Sequence, residues 1–182
     1  MESGRTTVAR ASAHVTYPAR FQLIAAMNPC RCGYLGDGTR ECGRAPRCGE
    51  DYQNRISGPV LDRIDLVVEV QPASAVELAR APTGERTELV ATRVTRARSL
   101  RTARNADGLT NAEADLVGIR LSAEAQTLAQ QAVDKLRLSP RGYTRVLRVS
   151  RTIADLAGAA EVGRTHVAEA LAFRHRMPGR KL

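Results

Sequence analysis

Tyr17-Pro-Ala-Arg-Phe-Gln-Leu-Ile-Ala-Ala-Met-Asn-Pro-Cys-Arg-Cys-Gly33 joins an apolar run to a cysteine-rich loop. The run Phe21–Met27 lacks polar alternation. That pattern predicts a strand buried on both faces, as in a parallel sheet covered by helices. Pro29 disfavours helix at Asn28 and stops the strand there. Upstream, Thr6–Arg10 and His14–Tyr17 lean towards β around Ala11, Ser12 and Ala13, and predict a hairpin. Downstream, Ile56–Arg63 predicts a short helix or turn. Ile64–Val70 predicts a second strand, with Ile64, Leu66, Val68 and Val70 on one face and Asp65, Val67 and Glu69 on the other. Pro72 ends it.

Beyond Pro72 the period changes. Pro82, Thr83 and Gly84 make a break, and a helix follows over about Glu85–Arg104. Val90, Val94 and Ala97 form its apolar stripe, while Arg93, Arg96, Arg98, Arg101 and Arg104 cover much of the rest. Asn105–Asn111 reads as a loop. A helix spans about Ser122–Leu136. Ser139 and Pro140 then give a helix start, with serine as the cap and proline at the first helical position. That helix carries Tyr143, Val146, Leu147, Ser150, Ile153 and Leu156 at helical spacing and stops at Gly158. A last helix covers about Thr165–Arg174, with Val167, Ala170 and Leu171 inward. The expected fold is therefore an α/β portion over residues 1–72, with hairpin, parallel-sheet strands and cysteine-rich insertion, followed by an all-α domain over residues 73–182.

The 182 residues suffice for one ordinary domain or two small ones. No apolar run approaches the roughly 18–20 residues that span a bilayer. Met1–Arg10 has no apolar core of the secretory kind, so the expected location is the cytoplasm. The formal net charge is +9. Residues 1–72 hold 9 basic against 8 acidic residues, and residues 73–182 hold 19 against 11. A basic second half fits a polyanionic partner or a solvated basic face. Aromatic residues make up only 3% of the chain, with no tryptophan. Any nucleic-acid contact is then expected at phosphates rather than at stacked bases.

Four cysteines, Cys30, Cys32, Cys42 and Cys48, lie within 19 residues, and the chain has no others. Gly33, Gly36, Gly38, Gly43 and Pro46 between them predict a loop. In a reducing compartment such a cluster points to metal before disulfides. Four thiolates would close a structural zinc site with no open position. Free or redox-active thiols are the alternative, because the C-x-C and C-x5-C spacing is looser than that of a zinc ribbon. The histidines His14, His166 and His175 are scattered and read as surface or packing residues. A phosphate loop requires G-x-x-x-x-G-K-[ST], and neither Lys135 nor Lys181 follows a glycine. No apolar strand ends in Asp-Glu to hold Mg²⁺.

The stretch Tyr17–Gly33 resembles the ComM/YifB-type magnesium-chelatase-like AAA+ ATPases. So do Arg55-Ile-Ser-Gly-Pro-Val-Leu-Asp-Arg-Ile-Asp65 and Ser139-Pro-Arg-Gly-Tyr-Thr-Arg-Val-Leu-Arg-Val-Ser-Arg-Thr-Ile-Ala-Asp-Leu156. The resemblance runs along nearly the whole chain. It implies the last part of an AAA+ core followed by a helical lid, starting after both Walker motifs. It also implies roles for single residues. Asn28 matches sensor 1, which orients the attacking water near the γ-phosphate. Arg63 matches the arginine finger, which reaches the nucleotide of an adjacent subunit. Arg141 matches sensor 2, a lid contact to nucleotide phosphate, and it falls in a first helical turn where exposed amides favour an anion. The predicted hairpin resembles one that faces the central pore in helicase relatives, which makes Arg5, Arg10 and His14 candidate DNA contacts. Many relatives close the cysteine cluster with C-x-C, whereas Cys42 and Cys48 stand five residues apart.

The resemblance implies a hexameric, ATP-driven DNA remodeller, acting for example in branch migration during DNA uptake and recombination. This chain alone is expected to hydrolyse no ATP, since ATP and Mg²⁺ need the Walker-containing half. Two other readings remain: a non-catalytic nucleic-acid-binding or interaction module, and a fragment of a chelatase- or chaperone-like motor.

Overall fold

The computed structural model describes residues 4–70, 79 and 84–174. The chain divides into two compact units, one up to Arg63 and one from Ile64 onwards. No helix among the described residues is long and apolar enough to cross a membrane.

The first unit opens with the expected hairpin. Strands β1 (Arg5–Arg10) and β2 (Ala13–Pro18) pair antiparallel, with Val8 opposite Val15 and Thr6 opposite Tyr17. Because side chains alternate along a strand, Val8, Val15 and Tyr17 share one face, and all three are exposed. The cysteine-rich loop follows and leads into α1 (Arg47–Gln53). Helix α2 (Gly58–Leu61) is the short helix expected before Arg63, with a proline in its first turn.

The two predicted parallel-sheet strands do not form. Phe21–Met27 holds no regular element, and its Phe21, Leu23, Ile24 and Met27 are exposed, Ile24 at 86%. Ile64–Val70 likewise enters no ladder, and Leu66, Val68 and Val70 are exposed rather than facing a core. A strand buried on both faces needs neighbouring strands and covering helices. Among the described residues the only sheet is the β1–β2 hairpin. Instead, the Val67 N–H donates to the Phe173 carbonyl at 2.8 Å, Arg174 donates to the Ile64 carbonyl at 2.8 Å, and Asp65 pairs with Arg145.

The second unit is helical, as the periodicity predicts. It comprises α3 (Thr87–Arg104), α4 (Ala123–Leu136), α5 (Pro140–Ala157) and α6 (Arg164–Phe173). Their boundaries follow local chemistry. Ser122 accepts from the Ala125 N–H to start α4, and Ser139 accepts from the Gly142 N–H to start α5. Gly158 ends α5 at φ 72°, a left-handed conformation in which a Cβ is costly. His166 accepts from the Gly163 N–H at 3.0 Å and so caps α6, a packing role of the kind expected for the histidines. His175 lies outside the described residues.

Helix α5 is the centre of the packing, against both α3 and α6, and α6 also packs on α4. Val146, Leu147, Ala154, Val162, Val167, Ala125 and Ala129 form the apolar core, with Leu128, Tyr143 and Ile153 against it. Full burial of one such valine or leucine contributes about 1.5–3 kcal/mol. The segments before α4 and α6 are joined by a parallel bridge between Leu121 and Val162. Ala97 is the buried point of the α3 stripe, with Val90 and Val94 half-buried.

Candidate metal centre and flanking residues

The cysteine cluster assembles in space. The sulfurs of Cys30, Cys32 and Cys48 all lie within 4.8 Å of one another, and those of Cys30 and Cys32 are 3.1 Å apart. Cys42, the fourth expected ligand, is not one of this group, although its thiol interacts with those of Cys48 and Cys32. Cys30 is fully buried, Cys42 and Cys48 are half-buried, and Cys32 is exposed. The Gly33 N–H donates to the Cys30 carbonyl at 3.1 Å, which folds the C-x-C pair into a turn. Gly33 sits there at φ 84°, in the left-handed region. Further along, Gly36 donates to Glu41 at 2.6 Å and Arg40 pairs with Asp37, which folds the intervening loop upon itself.

The thiols perturb each other. Hydrogen bonds from the Arg44 backbone, and then from Cys48, hold the Cys42 thiol below its ordinary value. The hydrogen bond to Cys42, followed by burial, pushes Cys48 up to about 12. Cys42 therefore loses its proton before Cys48, whose proton resists leaving. A divalent cation removes that resistance by neutralising the second thiolate. Zinc binds cysteine thiolates at about 2.3 Å in a tetrahedron, which places ligand sulfurs about 3.8 Å apart. The grouping of Cys30, Cys32 and Cys48 could hold such an ion, with Cys30 and Cys32, at 3.1 Å, standing closer than that spacing. A closed four-thiolate site would supply cross-linking rather than catalysis.

Two residues that sequence reasoning missed hold the cluster to α1. Gln53 is 1% exposed and donates from Nε2 to the Pro29 carbonyl at 2.9 Å. Gly49 is buried one turn earlier on the same face of α1. A Cβ on Gly49 would meet Leu35 Cδ2 at 2.4 Å and the Pro29 carbonyl at 3.4 Å, so only glycine fits without rearrangement. A glycine and a glutamine four residues apart make no apolar stripe, and their partner lies 24 residues upstream of Gln53. The sequence therefore carries no local sign of the contact.

Asn28 is exposed immediately before this centre, and its Nδ2 stands 4.0 Å from the Cβ position of Gly33. Arg63 follows α2 and donates to the Pro59 carbonyl at 2.9 Å. Its neighbour Asp65 is engaged by Arg145. Arg141 is exposed at the second position of α5.

The arginines that follow Arg141 turn inward. Arg145 pairs with Asp65, Arg148 donates to the Ala114 carbonyl, and Arg151 pairs with Asp155 at 3.0 Å while donating to the Ala159 and Ala160 carbonyls. Asp155 also accepts from Arg104 at 2.5 and 2.9 Å and from Asn111 at 2.9 Å. Burial raises the Asp155 carboxyl, but hydrogen bonds from Arg104 and Asn111 and the Arg151 charge outweigh it, leaving the group below its ordinary value. Burial lowers Arg151, against the attraction of Asp155. These groups pin α3 and the loop after it to α5.

Residues 1–78 match the family model described as magnesium chelatase, subunit ChlI, and residues 84–174 match magnesium chelatase, subunit ChlI C-terminal. The chain belongs to this magnesium chelatase ChlI family. Among curated proteins it is 38% identical over 178 residues to competence protein ComM of Haemophilus influenzae, covering 96% of this chain and 34% of that protein. It is 37% identical to uncharacterized protein YifB of Escherichia coli and 37% identical to uncharacterized protein Rv2897c of Mycobacterium tuberculosis, in each case over 96% of this chain and 35% of the relative. The chain thus spans about a third of the length of the curated relatives it matches.

Proposed function

We propose that this chain is the C-terminal portion of a ComM-like AAA+ ATPase. Residues 1–72 would complete the ATPase core and residues 73–182 would form its lid. In this reading Asn28 orients water near the γ-phosphate, Arg63 reaches a neighbouring subunit's nucleotide in a hexameric ring, and Arg141 contacts phosphate from the lid. ATP and Mg²⁺ bind only together with a Walker-containing half. Cys30, Cys32, Cys42 and Cys48 hold one structural zinc ion. The work done is ATP-driven remodelling of DNA, as in branch migration during uptake and recombination, in the cytoplasm.

The observation that carries this reading is the place of Arg141. It is exposed in the first turn of α5, where the free backbone amides of a helix start favour an anion. The isolated chain is expected to show no ATP turnover. Joined to a Walker-containing half, it is expected to hydrolyse ATP, with Arg63→Ala abolishing turnover and leaving nucleotide binding largely intact. Robust hydrolysis by the isolated chain, or unchanged turnover in Arg63→Ala, would overturn the reading.

A second reading, a non-catalytic nucleic-acid-binding module, draws support from Arg96 and Arg98, which are exposed on α3 without a carboxylate partner among the described residues. On the same helix Arg93 is engaged by Glu85 and Arg104 by Asp155. Phosphate contacts of this kind give binding that weakens steeply with salt. DNA binding by the isolated chain that resists Arg63→Ala but falls in Arg96→Ala would favour the module.

A further inference from the structure

Asn28 and the cysteine turn form one short piece of chain. Pro29, between Asn28 and the fully buried Cys30, has a fixed φ. Its carbonyl is pinned by Gln53, which is carried by the same helix as Cys48. Gly49 permits the close approach of that helix to Pro29 and Leu35. On the other side, the exposed Asn28 amide nitrogen lies 4.0 Å from where a Cβ on Gly33, the end of the Cys30–Gly33 turn, would stand. Three tethers therefore meet within three residues of Asn28: a buried thiol, a pinned carbonyl and a closed turn.

We propose that metal loading of the cysteine cluster fixes the Asn28 side chain through the Gln53–Pro29 bridge, so that the metal centre positions a residue of the ATP site. The inference rests on the zinc and Asn28 assignments of the proposed function. Its physical basis is rigidity. Without metal, the turn is held to α1 by weak thiol contacts and the Gln53–Pro29 hydrogen bond. A metal bound by both Cys30 and Cys48 ties the turn to α1 and so preserves the Gln53 hydrogen bond. With φ of Pro29 fixed, little backbone freedom separates that anchor from Asn28. Gln53 is a positioning residue: its amide reaches the Pro29 backbone carbonyl.

The test uses the full chain carrying ¹⁵N in asparagine. Its four asparagines are Asn28, Asn54, Asn105 and Asn111, and Asn28→Asp assigns the Asn28 side-chain amide. Zinc is titrated into chelator-treated protein while uptake and the side-chain amide spectrum are followed together. The Asn28 amide is expected to shift and sharpen until one equivalent is bound, while Asn111 of the helical unit stays unchanged. In Gln53→Leu, one equivalent is expected to bind but the Asn28 amide to remain broad. Uptake of one equivalent with Asn28 unchanged would overturn the coupling and leave the zinc site standing. Failure to take up zinc would overturn both. A sharp, zinc-dependent Asn28 amide in Gln53→Leu would overturn the bridge.

Discussion

The two units are held together by different physics. The helical unit buries a continuous apolar cluster around α5 and adds an ion network at Asp155. The cysteine unit has little comparable core: among its described residues the fully or nearly fully buried side chains are Cys30 and Gln53, while the apolar residues of Phe21–Met27 are exposed. A region that buries so little apolar surface needs cross-links to order its backbone. The Gln53–Pro29 hydrogen bond supplies one tether, and the thiol cluster would supply a cross-link on binding a metal ion.

This contrast predicts that the two units fail independently. The largest effect is expected from metal removal. Chelation, or Cys48→Ser, is expected to abolish amide-exchange protection over residues 29–53 while α4–α6 keep theirs. Equal loss in both units would break the distinction. Next in size, Asp155→Ala leaves Arg104 and Arg151 without their shared carboxylate. Removing one partner of a buried pair costs about 3–5 kcal/mol, so the helical unit is expected to unfold at much lower denaturant with zinc content unchanged. A shift within error would show that the network is dispensable.

The same carboxylate sets a pH response. Its folded value lies below the ordinary one. Its contribution is therefore fully present above the unfolded value of about 3.9 and is lost as pH falls through the lower folded value. Denaturant titrations at pH 6 and pH 3 are expected to differ less in Asp155→Asn than in the parent chain. The smallest effect is local: Ser139→Ala removes the cap of α5, at about 1 kcal/mol. Circular dichroism melts should register it in the helical transition alone.

What the sequence made legible follows the same division. The hairpin, the caps at Ser122 and Ser139, the stop at Gly158 and the core face of α5 are encoded within a few residues of where they act. The Phe21–Met27 and Ile64–Val70 strands depend on neighbours that the described residues do not provide, and pattern alone carried no sign of that. The four cysteines pointed to a candidate metal site by type and clustering, of which Cys30, Cys32 and Cys48 group closely enough to hold an ion. Their closest grouping, Cys30 with Cys32 and Cys48, and the support from Gly49 and Gln53 arise only when α1 folds back on the loop. The Arg104–Asp155 pair, 51 residues apart, was equally invisible. It turns Arg104, one of the basic residues of the second half, into an internal brace.

The account depends most on the cysteine unit being cross-linked by metal. Elemental analysis of freshly purified protein tests this directly. About one zinc ion per chain is expected, falling to background in Cys30→Ser. Parent protein free of zinc and unable to take it up under reducing conditions would contradict the account.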